Sequence, residues 1–185
     1  MQHGAARRIP LALLFSWVAG CAGSTSSGTE SIPIDSDTLV TLARSACFGN
    51  CPVYSLTIAG DGSVTYRGEA FVRVMGPASG NVPVEDVQAL VDRMLRANYF
   101  NLSVPMACKE GIATDASGAT PSLTHGGRTH EVQDYHGNAC APAVLGEIEN
   151  AIDALVDSEQ WTRCDTENGA CCDPVHGNIL LFPCN

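Results

Sequence analysis

Several signatures of common chemistry are missing from this 185-residue chain. It has no G-x-S-x-G turn, no Walker-type phosphate loop and no G-x-G-x-x-G fingerprint, so the local signals of an α/β hydrolase, a P-loop enzyme and a dinucleotide fold are all absent. Positive charge is also scarce. Ten Lys and Arg face twenty Asp and Glu, a formal charge of -10. A surface of that sign repels phosphate, which argues against nucleic acid and against a basic face that docks on anionic lipid. One run, His130-Glu131-Val132-Gln133-Asp134, imitates half of a zinc-protease H-E-x-x-H motif. Asp134 stands where the second His belongs, and the run alternates like a strand instead of setting two ligands on one helix face. The sequence nominates no catalytic residue and no cofactor, and we read it as non-enzymatic.

No apolar run is long enough to remain in a bilayer. The segment "IPLALLFSWVAG" follows Arg7 and Arg8 and falls short of the roughly 20 residues that a membrane helix needs, so residues 1–20 read as a cleaved export signal. Its end, Val18-Ala19-Gly20-Cys21, resembles a bacterial lipobox, in which a peptidase cuts before a cysteine that becomes diacylated. The alternatives are an ordinary secretory signal, with Cys21 as one more thiol, and a twin-arginine signal, for which Pro10 replaces the bulky apolar residue that motif wants. Cleavage leaves eight bases against twenty acids, a charge of -12. The lipid on Cys21 must then do the anchoring, and two acyl chains suffice. Ala22 fits the pattern that enterobacterial sorting sends to the outer membrane. The expected partners are the membrane, through the anchor, and an envelope protein or small ligand; nucleic acid is not among them.

Residues 21–37 hold the lipidated cysteine and a Gly/Ser/Thr-rich stretch without apolar periodicity, a flexible tether spanning roughly 20 to 25 Å. Residues 38–160 carry the regular patterns and suffice for one core. "TLVTLARSA" alternates as a strand; "PVYSLTIAG" and "SVTYRG" alternate on either side of Gly60-Asp61-Gly62, whose glycines suit the positive φ of a hairpin turn. Tyr54, Leu56 and Ile58 share one face, with Ser55 and Thr57 on the other, so one side of the sheet is wet. "FVRVMG" is expected to continue the meander. A helix is predicted from Val84, with Pro83 in its first turn and Val87, Leu90, Val91, Met94 and Leu95 as its apolar stripe. Residues 101–120 read as loop. A second hairpin turns at Gly126-Gly127, and Pro142 opens a helix with Leu145, Ile148, Ile152, Leu155 and Val156 on one side. The fold class is α+β: a mainly antiparallel sheet with two amphipathic helices on one face. A disulfide-rich appendage, residues 161–185, follows.

Nine cysteines are present. With Cys21 lipidated an even number remains, which in an exported protein favours disulfides. Locality suggests Cys47 with Cys51, Cys108 with Cys140, and two bonds among Cys164, Cys171, Cys172 and Cys184; joining the adjacent Cys171 and Cys172 would strain the ring. The C-x-x-x-C-P run from Cys47 to Pro52 resembles the copper site of Sco-type chaperones, where the motif leads into a helix. Here Gly49-Asn50 favours a turn and Pro52 opens an alternating run, so a covalent staple fits better. The alternative is a periplasmic copper, zinc or thiol-redox protein using Cys47 and Cys51, with His130 as the distant ligand. His125, His130 and His136 across the second hairpin, and a zinc knuckle of Cys164, Cys171, Cys172, His176 and Cys184, are further metal sets. A third reading is a hydrolase whose site has no recognisable motif.

The stretch "RSACFGNCPVYSLTIAGDGSVTYRGEAFVRVMG", followed by a helix opened by proline and "NYFNL", resembles an uncharacterised bacterial domain family of exported proteins and lipoproteins, marked by C-F-G-x-C-P-x-Y and a following G-D-G turn. The resemblance runs over about residues 38–160. It implies export and a common fold and supplies no catalytic residues. The expectation is an envelope lipoprotein acting as a binding or structural module.

Overall fold

The structure is a computed structural model that describes Met1 and residues 33–106, 108 and 111–163. The expected export signal beyond Met1, Cys21 and the tail residues Cys164, Cys171, Cys172, His176 and Cys184 lie outside the described residues. The elements are β1 (Leu39–Arg44), β2 (Val53–Ala59), β3 (Ser63–Ala70), β4 (Gly76–Asn81), α1 (Val84–Arg96), a 3-10 turn (Tyr99–Asn101), β5 (Gly118–His125), β6 (Arg128–Glu131), β7 (Asp134–Tyr135), α2 (Ala143–Val156) and a short α3 (Glu159–Thr162). They form an α+β fold. All seven strands make one antiparallel sheet in the order β4-β3-β2-β1-β5-β6, with β7 also on β5.

The alternation seen in the sequence sorts the two faces. Val40 lies beside Ile58 and Leu123, and Leu42 beside Leu56 and Pro121; these side chains, with Val64 and Tyr66, are buried under the helices. Thr41, Thr57 and Thr65 form a cross-strand row on the opposite face, where β-branched side chains with a polar end suit a half-wet sheet. Helix α1 buries Val87, Leu90, Val91 and Met94, with Glu85 and Asp86 in its first turn and Arg93 and Arg96 in its last, as the helix dipole favours. Helix α2 buries Leu145, Ile148, Ile152 and Val156. Each such side chain contributes roughly 1.5–3 kcal/mol through burial.

Four details differ from the sequence reading. The fourth strand is "GPASGN" at Gly76–Asn81 and not "FVRVMG", because Phe71 takes a positive φ of 52° and breaks the alternation while Val72 turns into the core. In the first hairpin only Gly62 has positive φ, 84°; Gly60 is needed for space, since a Cβ there would lie 2.3 Å from the Asp35 carbonyl. The second hairpin turns at Gly126 and Gly127, both with positive φ, but its returning strand is split into β6 and β7. Opposite the split, Pro121 accepts a hydrogen bond from Val132 N–H at 3.1 Å and, lacking an N–H, returns none. Finally, packing extends beyond residue 160. Trp161 stacks on Tyr66 with ring centroids 4.9 Å apart, and its carbonyl accepts from Val74 N–H.

Candidate functional site

In an antiparallel sheet the end of β1, the starts of β2 and β5, and β7 all meet at one end. Arg44 continues the core-facing parity of Val40 and Leu42, so its guanidinium points under the sheet toward α2. Glu149 falls in the apolar stripe of α2, one turn after Leu145, and is 1% exposed. Arg44 Nη1 donates to Glu149 Oε2 at 2.8 Å, and Arg44 Nη2 to Asp153 Oδ2 at 2.8 Å. Tyr54 Oη donates to Asp153 Oδ1 at 2.6 Å. His136, just past β7, places Nε2 2.9 Å from Glu149 Oε2 and Nδ1 3.3 Å from Ser117 Oγ. Asp134 of β7 is 5% exposed. Two carboxylate oxygens in this cluster, Asp134 Oδ1 and Glu149 Oε1, are buried without a hydrogen-bond partner among the described residues.

Electrostatics follow from this packing. Burial works against the Arg44 charge, yet Asp153 and Glu149 outweigh it and hold the guanidinium charged more firmly than usual. Burial pushes the Glu149 carboxyl above the ordinary range; His136 and Arg44 pull it back, and the neighbouring Asp134 adds to the rise. The two directions are consistent because Arg44 satisfies only one of the Glu149 oxygens. One donor atom each from Asp134, His136 and Glu149 lies within 4.8 Å of the other two. An imidazole nitrogen with two carboxylate oxygens is a mixed set that suits a first-row divalent cation.

Both disulfides that the sequence suggested in the described region are present. Cys47–Cys51 and Cys108–Cys140 have Cα separations of 5.7 and 5.6 Å. The first closes the loop between β1 and β2, where Phe48 N–H donates to the Asp115 carbonyl at 3.1 Å; the second ties the segment after the 3-10 turn to the approach to α2. Phe48 is 88% exposed and Met106 97%, with Ile112 half exposed. Beside Met106 and Ile112 runs a groove of about 430 Å³ that also touches Leu102, Val104, His130 and Tyr135.

Over residues 38–156 the chain matches the family model of a domain of unknown function, DUF6438. It belongs to the DUF6438 family. No curated protein matches the chain. The family carries no activity to transfer, so the site of this DUF6438 domain rests on its own geometry.

Of the sequence-derived metal sets, the two that fall within the described residues are not brought together. Cys47 and Cys51 are bonded to each other, so neither is a thiolate ligand in this form, and His130 Nε2 bonds the Leu102 carbonyl at 2.8 Å. His125 Nδ1 bonds Thr38 Oγ1 at 3.1 Å near the start of β1, while His136 faces Glu149. Arg44, Tyr54, Asp134, Glu149 and Asp153 were all missed by sequence reading. Two signals pointed to them: a base at the core parity of β1, and a carboxylate inside the apolar stripe of α2.

Proposed function

We propose that this DUF6438 chain is an exported, lipid-tethered binding or accessory module of the bacterial envelope, without catalytic activity of its own, and that it presents the disulfide-stapled end of its sheet to a partner. The observation that supports this is the exposure of Phe48, Met106 and Ile112 on loops held by two disulfides, the last two beside one groove. Large apolar side chains exposed along a groove are costly to leave in water and mark contact surfaces. Covalent closure keeps such a surface in one shape before binding, which lowers the ordering cost. Position fits as well: the tether leads into the start of β1, and the stapled loops leave from its far end, about 20 Å away for a strand of this length.

Two variants test the reading. Cys21→Ala should abolish palmitate labelling and move the chain from the membrane fraction to the soluble periplasmic fraction; continued labelling and membrane retention would defeat the tether. Phe48→Ser should change stability by no more than about 0.5 kcal/mol, as for an exposed side chain, while weakening capture of the envelope partner. Full partner capture by that variant would remove the stapled end from consideration.

A further inference from the structure

We propose that Asp134, His136 and Glu149 bind a first-row divalent cation of the zinc class between β7 and α2. A buried ion-pair network explains part of this cluster and leaves part unexplained. Arg44 accounts for Glu149 Oε2 and for Asp153, but Asp134 Oδ1 and Glu149 Oε1 stay buried and unpartnered among the described residues. Buried anionic oxygens are almost always paired with a donor or a cation. Here the two belong to residues whose donor atoms also approach an imidazole nitrogen.

Charge and distance agree with a divalent ion. Asp134, Glu149 and Asp153 bring three negative charges against the single positive charge of Arg44, with His136 neutral as a ligand must be, and a divalent cation cancels the remainder. The three donors lie within 4.8 Å of one another, against about 3.4 Å between the ligands of a tetrahedral ion with bonds of about 2.1 Å, so side-chain shifts of up to about an ångström close the site. His136 Nε2 lies 2.9 Å from Glu149 Oε2, and the cation replaces that contact while Arg44 keeps the oxygen. Ser117 Oγ holds His136 by Nδ1, which directs Nε2 inward, and Arg44 occupies the Glu149 oxygen that the cation does not need. His136, with a third of its side chain exposed, is the opening to solvent. An imidazole ligand selects zinc-class ions over magnesium, which prefers oxygen alone.

This site is independent of the tether and of the stapled-end contact, so either reading can fail without the other. The experiment is a calorimetric titration of the mature, disulfide-intact full chain with zinc sulfate, with magnesium chloride as control. The wild-type chain should bind zinc at a site that is weakened more than about 10-fold by His136→Ala and by the isosteric Asp134→Asn, and about 10-fold by Ser117→Ala through loss of ring orientation. Zinc should raise the midpoint of thermal unfolding of the wild-type chain, and magnesium should do neither. Circular dichroism identifies any variant that fails to fold, and Asp134→Asn alone then decides. Zinc binding equal in wild type and Asp134→Asn, whether because none binds or because other groups hold it, overturns the proposal.

Discussion

Replacing both Cys47 and Cys51 with Ser should cost little, and the reason is the size of the ring they close. The two are four residues apart, against 32 for Cys108 and Cys140. In the chain-entropy account a cross-link stabilises by restricting the unfolded chain and grows with the logarithm of the loop, giving about 2 kcal/mol for the short ring and about 3.7 kcal/mol for the long one. Both short-ring cysteines are only half buried, so Ser forfeits little packing. The backbone bonds from Gly49 N–H to Cys47 O and from Phe48 N–H to Asp115 O persist or fray locally without reaching the core. Urea unfolding of the oxidised protein is the assay; with a slope of roughly 2 kcal/mol per molar, the midpoint should fall by about 1 M for Cys47→Ser/Cys51→Ser and nearly twice that for Cys108→Ser/Cys140→Ser. A short-ring loss equal to or greater than the long-ring loss would show that the ring supports native packing. Tight Cu(I) binding by the mildly reduced domain, lost in the double variant, would instead make the pair a chemical site.

Arg44→Ala should destabilise by about 3–5 kcal/mol in the same assay, because it removes the cation that pairs both Glu149 and Asp153 beneath the sheet; a loss under about 1 kcal/mol would mean that His136 and Tyr54 suffice for the two acids. Burial pushes the Tyr66 phenol up to about 12 and also raises Tyr54 and Tyr99. The folded state therefore keeps protons that the unfolded chain loses near pH 10, and stability present below about pH 10 should drain away as pH climbs toward 12. Phenolate absorbance of these rings should rise together with loss of circular dichroism; ionisation near pH 10 in an intact fold would contradict their burial.

The hairpins and both helices were legible because each is written in local periodicity: alternation around Gly62 and Gly126-Gly127, and apolar stripes spaced for a helix. The fourth strand was not. "GPASGN" has no strand propensity, and it pairs because β3 offers a long edge and because Trp161, far along the chain, lies 3.4 Å from where a Gly80 side chain would begin. The polar cluster escaped for a similar reason. Arg44 and Glu149 are separated by 105 residues, and only the return of β5 beside β1 brings β7 and α2 to the same end. Local pairing, by contrast, sufficed for both described disulfides.

The claim that the stapled end makes contact is tested most directly by photo-crosslinking in native envelopes. A photoreactive phenylalanine at position 48 is compared with one at Asp61, which is exposed at the opposite end of the same sheet. The account predicts a discrete crosslinked species from position 48 and none from position 61. Equal labelling from both positions, or a species from position 61 alone, would contradict it.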